Sequence, residues 1–396
     1  MQRRVCGGRG SAFPDRVHAP EAQHLAAHPR TPLPMKSYEV LIVGGGPAGS
    51  SCAWFLAQHG IQVAVLDARK FPRDKVCAGW ITPAALALRG ASAADYPHLI
   101  QPIRRFRIGL IHGPVHHFSY PEPVSYGIRR CEFDHWLLEQ AGVPVHAPEP
   151  VRTIERCGAR WRINDRFEAR MLVGAGGHFC PVARRLGARP GRGETTVYAQ
   201  EAEFPIPKHW RAHRLPEPDQ PELYFCPDLA GYGWIFRKGD YLNVGLGRVG
   251  GTRLASHVQA FVDWLIASGR LPEAPPVPFR GHAYLLAKHA KRPLIGDGAL
   301  LVGDAAGLAD NMSGEGIRPA IASGILAART ILEASGDYSR ARLAPYAERI
   351  TALRGKALPA PTWLARLGFH FGPVVRRFVL EKGFLGGKPA EEAKLL

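Results

Sequence analysis

Tyr38-Glu-Val-Leu-Ile-Val43 runs straight into Gly44-Gly-Gly46-Pro-Ala-Gly49, and the stretch Ser50 to His59 follows. The first six residues have the β-branched and aliphatic make-up of a strand buried in a parallel sheet. Ser50–His59 reads as a helix, and Ile61-Gln-Val-Ala-Val-Leu66 as a second strand ending on Asp67. Strand, Gly-x-Gly-x-x-Gly, helix, strand and acid together take about thirty residues, the dimensions of one βαβ unit.

Each residue type in that unit has a physical reason. Gly44 permits the tight turn, Gly46 lets the backbone approach a pyrophosphate, and Gly49 lets the helix pack close to the sheet. The helix N-terminus offers unpaired N–H groups and a partial positive charge to phosphates. Asp67, 18 residues after Gly49, stands where a carboxylate accepts hydrogen bonds from a ribose 2′-OH. The unit predicts dinucleotide binding. Residues 41–66 hold no Asp, Glu, Lys or Arg, a run that a hydropathy window reads as a membrane span. The glycines and Pro47 within it argue for the βαβ unit instead, and no transmembrane helix is expected.

Farther along, Ala299–Val302 reads as a strand leading into Gly303-Asp304-Ala-Ala-Gly307. Gly314-Glu-Gly316-Ile317 then opens a helix through Ala328. With this second motif the chain resembles the glutathione-reductase-type FAD proteins. The resemblance implies that Asp304 hydrogen-bonds the ribityl chain, and that the helix opened by Gly316 and Ile317 points its N-terminus at the flavin. Gly303 and Gly314 join the same cofactor-binding set.

Three more stretches narrow the resemblance. Phe71-Pro-Arg-Asp-Lys75-Val-Cys77-Ala-Gly79-Trp80 follows the second strand. Arg130-Cys-Glu-Phe133-Asp134 begins a helix with Phe133, Leu137, Leu138 and Ala141 at helical spacing. Tyr232-Gly-Trp234-Ile-Phe236-Arg237 precedes Gly245-Leu-Gly247. In this order they are similar to the geranylgeranyl reductase family of flavoproteins, over residues 36–350. The resemblance implies FAD contacts at Ala48, Asp67, Cys77, Ala78 and Gly79, and at Arg130, Asp304, Gly316 and Ile317. It also implies that Tyr232, Trp234, Phe236, Gly245 and Gly247 shape a pocket for a long isoprenoid.

The expected fold is α/β: a Rossmann-like FAD-binding domain of the glutathione-reductase type, with an inserted β-rich substrate domain and a helical C-terminal cap. The FAD domain is expected in three segments, 36–100, 128–187 and 286–345. The substrate domain takes 101–127 and 188–285, and the cap 346–396. Leu271-Pro-Glu-Ala-Pro-Pro-Val-Pro278 reads as the loop returning the chain towards the FAD domain.

The chemistry gives the singled-out residues alternative roles. Saturating an isolated C=C bond needs a hydride on one carbon and a proton on the other. Cys77, beside the flavin, either donates that proton or packs there as a small hydrophobe. Trp234 and Phe236 lie two apart, on one face of a strand, and are either pocket wall or sheet core. Arg130 either meets a phosphate or lies on the surface. The reductant is open between NADPH and a reduced electron-carrier protein.

The chain departs from related patterns. Flavin hydroxylases carry Asp-Gly-x-x-Ser after the third sheet strand, where this chain has Met171-Leu-Val-Gly-Ala175 leading into Gly176-Gly-His178-Phe-Cys180. The Asp is Gly176 and the Ser is Cys180, which weakens a hydroxylase reading. The Pro expected after Phe236 is Arg237, a departure at the end of that strand. The halogenase Trp-x-Trp-x-Ile-Pro signature is absent.

Composition bounds the rest. The chain has 396 residues, enough for two to three domains at roughly 100–200 residues each. Its seven cysteines form no Cys-x-x-Cys pair, so reduced thiols in a cytoplasmic setting are expected and a metal site is not. The formal net charge is +17. A basic balance fits anionic membranes, acidic substrates, nucleic acid or simply a solvated Arg-rich surface.

Residues 1–34 carry five Arg against one Asp and one Glu, hold five prolines and show no apolar periodicity. They read as a disordered extension, with Met35 as the expected translation start. In residues 362–380, Trp363, Leu364, Leu367, Phe371, Val374, Val375 and Phe378 share one helical face, and Arg366, His370 and Arg377 the other. Pro373 splits the segment. It is either a cap on the catalytic domain or a helix pair lying peripherally on anionic lipid at the inner face of the membrane.

An FAD-dependent reductase of isoprenoid C=C bonds is therefore the leading expectation, and an FAD monooxygenase on an apolar or aromatic substrate the alternative. A self-contained quinone-reducing electron carrier lacks the Cys cluster of an Fe–S module. Nucleic acid is not expected as a partner, since no basic stripe interleaved with aromatics runs outside the tail.

Overall fold

The computed structural model describes residues 34–189, 193–210 and 215–354, with Arg377, Glu381 and Leu385 beyond them. The readings of the N-terminal extension and of the tail around Pro373 lie outside the described residues.

The deciding stretch folds as one unit. Lys36–Val43 forms β1, exposed at its first two residues and buried from Val40 onward. Pro47–Gln58 forms α1, and Val63–Leu66 forms β2. The helix starts three residues before Ser50 because Pro47 is tolerated in a first turn, where its missing N–H is not needed. Beyond it come β3 (Trp80–Ile81), α2 (Pro83–Ala87), β4 (Ile100–Ile103), β5 (Arg105–Leu110), β6 (Val115–Ser119) and β7 (Ser125–Ile128). The chain continues through α3 (Arg130–Glu139), β8 (Val145–His146), β9 (Ile154–Cys157), β10 (Arg160–Ile163), β11 (Phe167–Gly174) and α4 (Pro181–Arg185). After these stand β12 (Thr196–Pro205), β13 (Glu222–Phe225), β14 (Gly231–Lys238), β15 (Tyr241–Val249), α5 (Leu254–Ala267) and β16 (Arg280–Leu285). The last elements are β17 (Ile295–Gly296), β18 (Ala299–Leu301), α6 (Ile317–Glu333) and α7 (Arg340–Arg354).

Three sheets result. One runs β17-β18-β11-β1-β2-β8, parallel from β18 to β8, with β10 and β9 added antiparallel beside β11. Its core packs on α1, α6 and α7 through residues such as Leu41, Val65, Leu172, Leu326 and Tyr346. Helix α6 is buried continuously from Ala320 to Ala328, a stretch made only of Ala, Ile, Ser, Gly and Leu. It crosses α1 closely enough that a Cβ on Gly324 would lie 2.2 Å from the Ala48 carbonyl oxygen.

The second sheet has seven strands, β16-β12-β15-β14-β13-β5-β6, antiparallel except between β13 and β5. Strand alternation divides its side chains between two layers. Phe204, Ile235, Val244 and Leu246 pack beneath α5 on Val258 and Phe261. Phe106, Ile108, Leu223, Trp234 and Phe236 form the opposite face. A three-stranded sheet, β3-β7-β4, completes the set.

Several boundaries differ from the sequence reading. The Pro-rich stretch 271–278 leads into β16, an edge strand of the seven-stranded sheet, and the chain reaches the parallel sheet only at β17. Strand β14 does not stop at Phe236: Arg237 and Lys238 continue its pairing with β15, which a Pro there would interrupt. The expected boundary at 346 falls inside α7. Among the described residues no helix is long and apolar enough to cross a membrane, and no cluster of His, Cys, Asp and Glu is arranged to hold a metal ion.

Candidate functional site

The Gly-x-Gly-x-x-Gly loop is shaped by contacts that leave no room for side chains. Gly44 has φ +114°, and a Cβ on it would lie 2.4 Å from the Ala175 carbonyl oxygen. A Cβ on Gly49 would lie 1.9 Å from the Gly44 carbonyl oxygen. Gly46 differs. A Cβ there would make only ordinary contacts, with Arg73 Nη2 at 3.6 Å and Asp134 Oδ2 at 3.9 Å, so this position tolerates a side chain and lines the cleft. Gly46 is also the N-cap of α1, which has no side-chain cap, so the first-turn N–H groups keep their capacity for a ligand. Asp67 Oδ2 accepts a hydrogen bond from Gly45 N–H (2.8 Å) and Oδ1 one from Arg69 N–H (3.0 Å), fixing the carboxylate beside the loop.

This loop opens on a cleft of about 1120 Å³. Gly44, Gly46, Ala48, Asp67, Cys77 and Ala78 line it, together with Arg130, Asp304, Gly314, Gly316 and Ile317. Gly49, Gly79 and Gly303 stand behind that lining: a Cβ on Gly79 would press on the Ile128 carbonyl oxygen at 2.2 Å, and one on Gly303 on Ala48 Cβ at 3.0 Å. Drug-sized pockets span about 300–1,000 Å³, so the cleft has room for a dinucleotide and part of a second ligand. The uncapped helix N-terminus, the fixed carboxylate and the glycine cradle fit an FAD.

Charged residues complete this end, among them Asp134, Lys75 and His282, to which the sequence reading gave no role. Arg130 is buried, not on the surface, and its Nε and Nη2 donate to the two oxygens of fully buried Asp134 (2.8 and 3.0 Å). Burial works against the Arg130 charge, but Asp134 and Cys77 outweigh it and hold its proton more firmly. Asp134 was legible as the last residue of the Arg-x-x-Phe-Asp stretch, four positions on, where helix neighbours meet. Lys75 Nζ lies 2.9 Å from His282 Nε2, which lies 3.4 Å from Asp304 Oδ2. Burial would raise the Asp304 carboxyl, but His282, Lys75 and Arg130 together bring it down to about 2. Burial, then Lys75, lowers His282, and burial followed by Arg130 lowers Lys75.

The sheet wall accounts for the aromatic motif. Tyr232 and Trp234 line the cleft. Gly245 lies beside Trp234 on β15, and a Cβ there would sit 2.3 Å from Trp234 Cζ2. Gly245 makes room for the indole, and Gly247, paired with Tyr232, borders it more loosely. Neither glycine lines the cleft itself. Nor does Phe236, which is 1 % exposed and packs on Trp80, itself stacked on Phe106. Tyr232 Oη donates to the Ser313 carbonyl (2.5 Å), bracing the loop ahead of Gly314 and Gly316. Helix α6 then starts at Ile317 without a side-chain cap. Cys77, half-buried, has its N–H bound by Glu201 Oε1 at 2.6 Å.

Residues 39–112 match the family model described as FAD dependent oxidoreductase. A menaquinone reductase of Mycobacterium tuberculosis is 30% identical over 337 residues, covering 74% of this chain and 76% of that protein. A digeranylgeranylglycerophospholipid reductase of Thermoplasma acidophilum is 26% identical over 356 residues, 84% of this chain and 87% of that protein. The crystal structure of a geranylgeranyl bacteriochlorophyll reductase-like protein from Thermoplasma acidophilum has a TM-score of 0.71 at 23% identity. It covers 91% of this chain and 96% of that one, and it shows the same fold. Sequence motifs, cleft and relatives agree: the chain belongs to the geranylgeranyl reductase family of FAD-dependent oxidoreductases.

Proposed function

We propose that this chain reduces carbon–carbon double bonds of an isoprenoid lipid of the geranylgeranyl type. The observation that carries the reading is the junction at Cys77 and Ala78. On one side of it lie the glycine cradle and its charged neighbours; on the other, an apolar layer continues through Trp80, Tyr232, Trp234, Phe225 and Leu110. A polyisoprenyl chain needs such a surface, because rigid rings bury much area at little entropy cost. The relative named digeranylgeranylglycerophospholipid reductase supports the same substrate class.

In this proposal Gly44, Gly46, Ala48, Gly49 and the first turn of α1 hold the pyrophosphate of FAD. Asp67 takes the ribose hydroxyl and Asp304 the ribityl chain. Gly303, Gly314, Gly316 and Ile317 bring the α6 N-terminus to the flavin, and Cys77, Ala78, Gly79 and Arg130 form the loop and helix start beside it. When bound, FAD supplies hydride chemistry in its reduced form. The Cys77 thiol gives its proton to the second carbon of the double bond, and the apolar wall excludes water from that carbon. NADPH or a reduced electron-carrier protein is the reductant. We read residues 36–100, 128–187 and 286–345 as the cofactor domain and 101–127 with 188–285 as the substrate domain. The basic tail is proposed to rest peripherally on membrane lipid.

The alternative is an FAD monooxygenase on an apolar substrate. The same wall suits it, but Gly176 stands where hydroxylases carry an Asp. An anaerobic experiment separates the two: the reduced flavoprotein is mixed with geranylgeranyl-carrying lipid, and flavin absorbance and product mass are followed together. Reoxidation with products heavier by two hydrogens per double bond is expected. Reoxidation only after oxygen is admitted, with products heavier by one oxygen, would sink the reductase reading.

A further inference from the structure

Strand register sets Glu201, Gly245 and Trp234 in one row across β12, β15 and β14, and Glu203, Asn243 and Phe236 in the next. Glu201 is 6 % exposed and borders the cleft. Its Oε1 accepts from the Cys77 N–H at 2.6 Å, and its Oε2 from Asn243 Nδ2 at 3.2 Å. Fully buried Asn243 accepts the Trp234 Nε1–H on its amide oxygen at 2.7 Å. It also donates to Glu203 Oε2 (3.2 Å), which pairs with fully buried Lys238. A single carboxylate thus ties the Cys77 loop, 124 residues away in sequence, to the tryptophan of the substrate wall.

Stability does not account for this arrangement. Glu201 and Lys238 are buried on this sheet face with Glu203 half-buried between them, and buried charges of this kind are often matched or bettered by apolar residues of similar volume. What they supply is a fixed geometry: Cys77, Glu201, Glu203 and Trp234 line the cleft, and fully buried Asn243 and Lys238 hold them from behind.

We propose that Glu201 is a positioning residue of the reaction, holding the Cys77 loop and Trp234 at a constant separation across the cleft. The proposal rests on the reading that double-bond reduction takes place between them. The rival role for a buried glutamate is a proton donor. Burial does push the Glu201 carboxyl up, with Lys238 pulling it back. Both oxygens, however, face N–H donors, as an ionised acceptor-only carboxylate requires. Lys238 from β14, Glu203 from β12 and Asn243 from β15 complete the groups facing it.

The test compares FAD-loaded wild type, Glu201→Gln and Glu201→Leu by the rate at which iodoacetamide alkylates Cys77, read by peptide mass, and by kcat and KM across pH. Glu201→Leu is expected to speed alkylation and lower kcat by about tenfold, the scale of a lost hydrogen bond to a charged group. Glu201→Gln keeps an oxygen for the Cys77 N–H and gives up only the bond from Asn243, so it should restore most of the protection. Equal alkylation in all three proteins overturns the proposal. So does a Gln variant as slow as the Leu variant, with one limb of the pH profile gone and alkylation unchanged, which would make Glu201 an acid. Should the Leu variant not fold, Asn243→Leu cuts the same chain one link farther on. Alkylation needs no substrate, so it decides the positioning role even if no isoprenoid is turned over, an outcome that would count against the reductase reading alone.

Discussion

Gly46 and Gly49 occupy one loop for different reasons, and substituting each separates them. Gly46 has φ −73° and ψ −174°, a backbone that alanine adopts freely, and a Cβ there would make only ordinary contacts with Arg73 and Asp134. Gly46→Ala should cost the apoprotein no more than about 1 kcal/mol, the scale of an N-cap change. It should nevertheless weaken FAD binding, because the added methyl stands in the space proposed for the pyrophosphate. In Gly49→Ala the methyl meets the Gly44 backbone at 1.9 Å, and overpacking of that kind costs about 3 kcal/mol. Urea unfolding of the apoproteins, with FAD titrations followed by flavin fluorescence, measures both. Undiminished FAD affinity in Gly46→Ala would refute the assignment of Gly46 to the phosphates.

At the scale of elements, the loops after β11 and β18 are held together by Arg292. It donates to the His178 carbonyl (2.9 Å) and the Ala305 carbonyl (3.2 Å), and it pairs with Glu194 (3.0 Å). Its Nη2 also lies 3.2 Å from His178 Nδ1, which therefore acts as the acceptor of a neutral ring. His178 is 4 % exposed; burial first, then Arg292, brings its pKa down to about 4. An unfolded histidine titrates near 6.5. Between these values the unfolded chain binds a proton that the folded chain refuses, so stability falls as pH drops from about 6.5 to about 4 and is unaffected above. The full loss is at most about 3 kcal/mol. Urea midpoints at pH 7.5 and 4.5 should show this fall in wild type and a smaller one in His178→Asn. Identical pH dependence in the two proteins would exonerate His178.

The elements also show what a sequence reveals and what it hides. β1, α1, β2 and the start of α6 were legible because their chemistry is local: a glycine spacing, an uncapped helix, an acid at a strand end. The partner of Arg130 was legible too, four residues away on one helix. Glu201 and Glu203 were not, because they alternate with Ala202 and Phe204 as an exposed strand face would. Only the pairing of β12 with β15 and β16 turns that face into the cleft. Lys75 and His282 meet across 207 residues, and nothing in either segment announces the other. Phe236 was open between pocket wall and sheet core, since residues two apart share a strand face either way, and its packing on Trp80 places it in the core.

For the whole molecule, the cleft has walls on two sheets, with the α1 loop from the parallel sheet on one side and Glu201, Trp234 and His282 from the seven-stranded sheet on the other. Each sheet has its own buried cluster of side chains. Ligand binding stabilises whichever part holds the contacts, by about 2.7 kcal/mol at a hundredfold excess over Kd. ADP reproduces only the end of FAD that the glycine loop and Asp67 are proposed to hold, while the whole cofactor is proposed to extend to Cys77 and the sheet wall. In calorimetry of the apoprotein, saturating ADP should therefore raise the transition belonging to the parallel sheet and leave that of the seven-stranded sheet in place. FAD at the same multiple of its Kd should raise both and draw them into one, because a ligand touching both walls couples their unfolding. Equal shifts of the whole profile with either ligand would mean that the two sheets already melt as one cooperative body, and that the cofactor fills the cleft without serving as the joint between its walls.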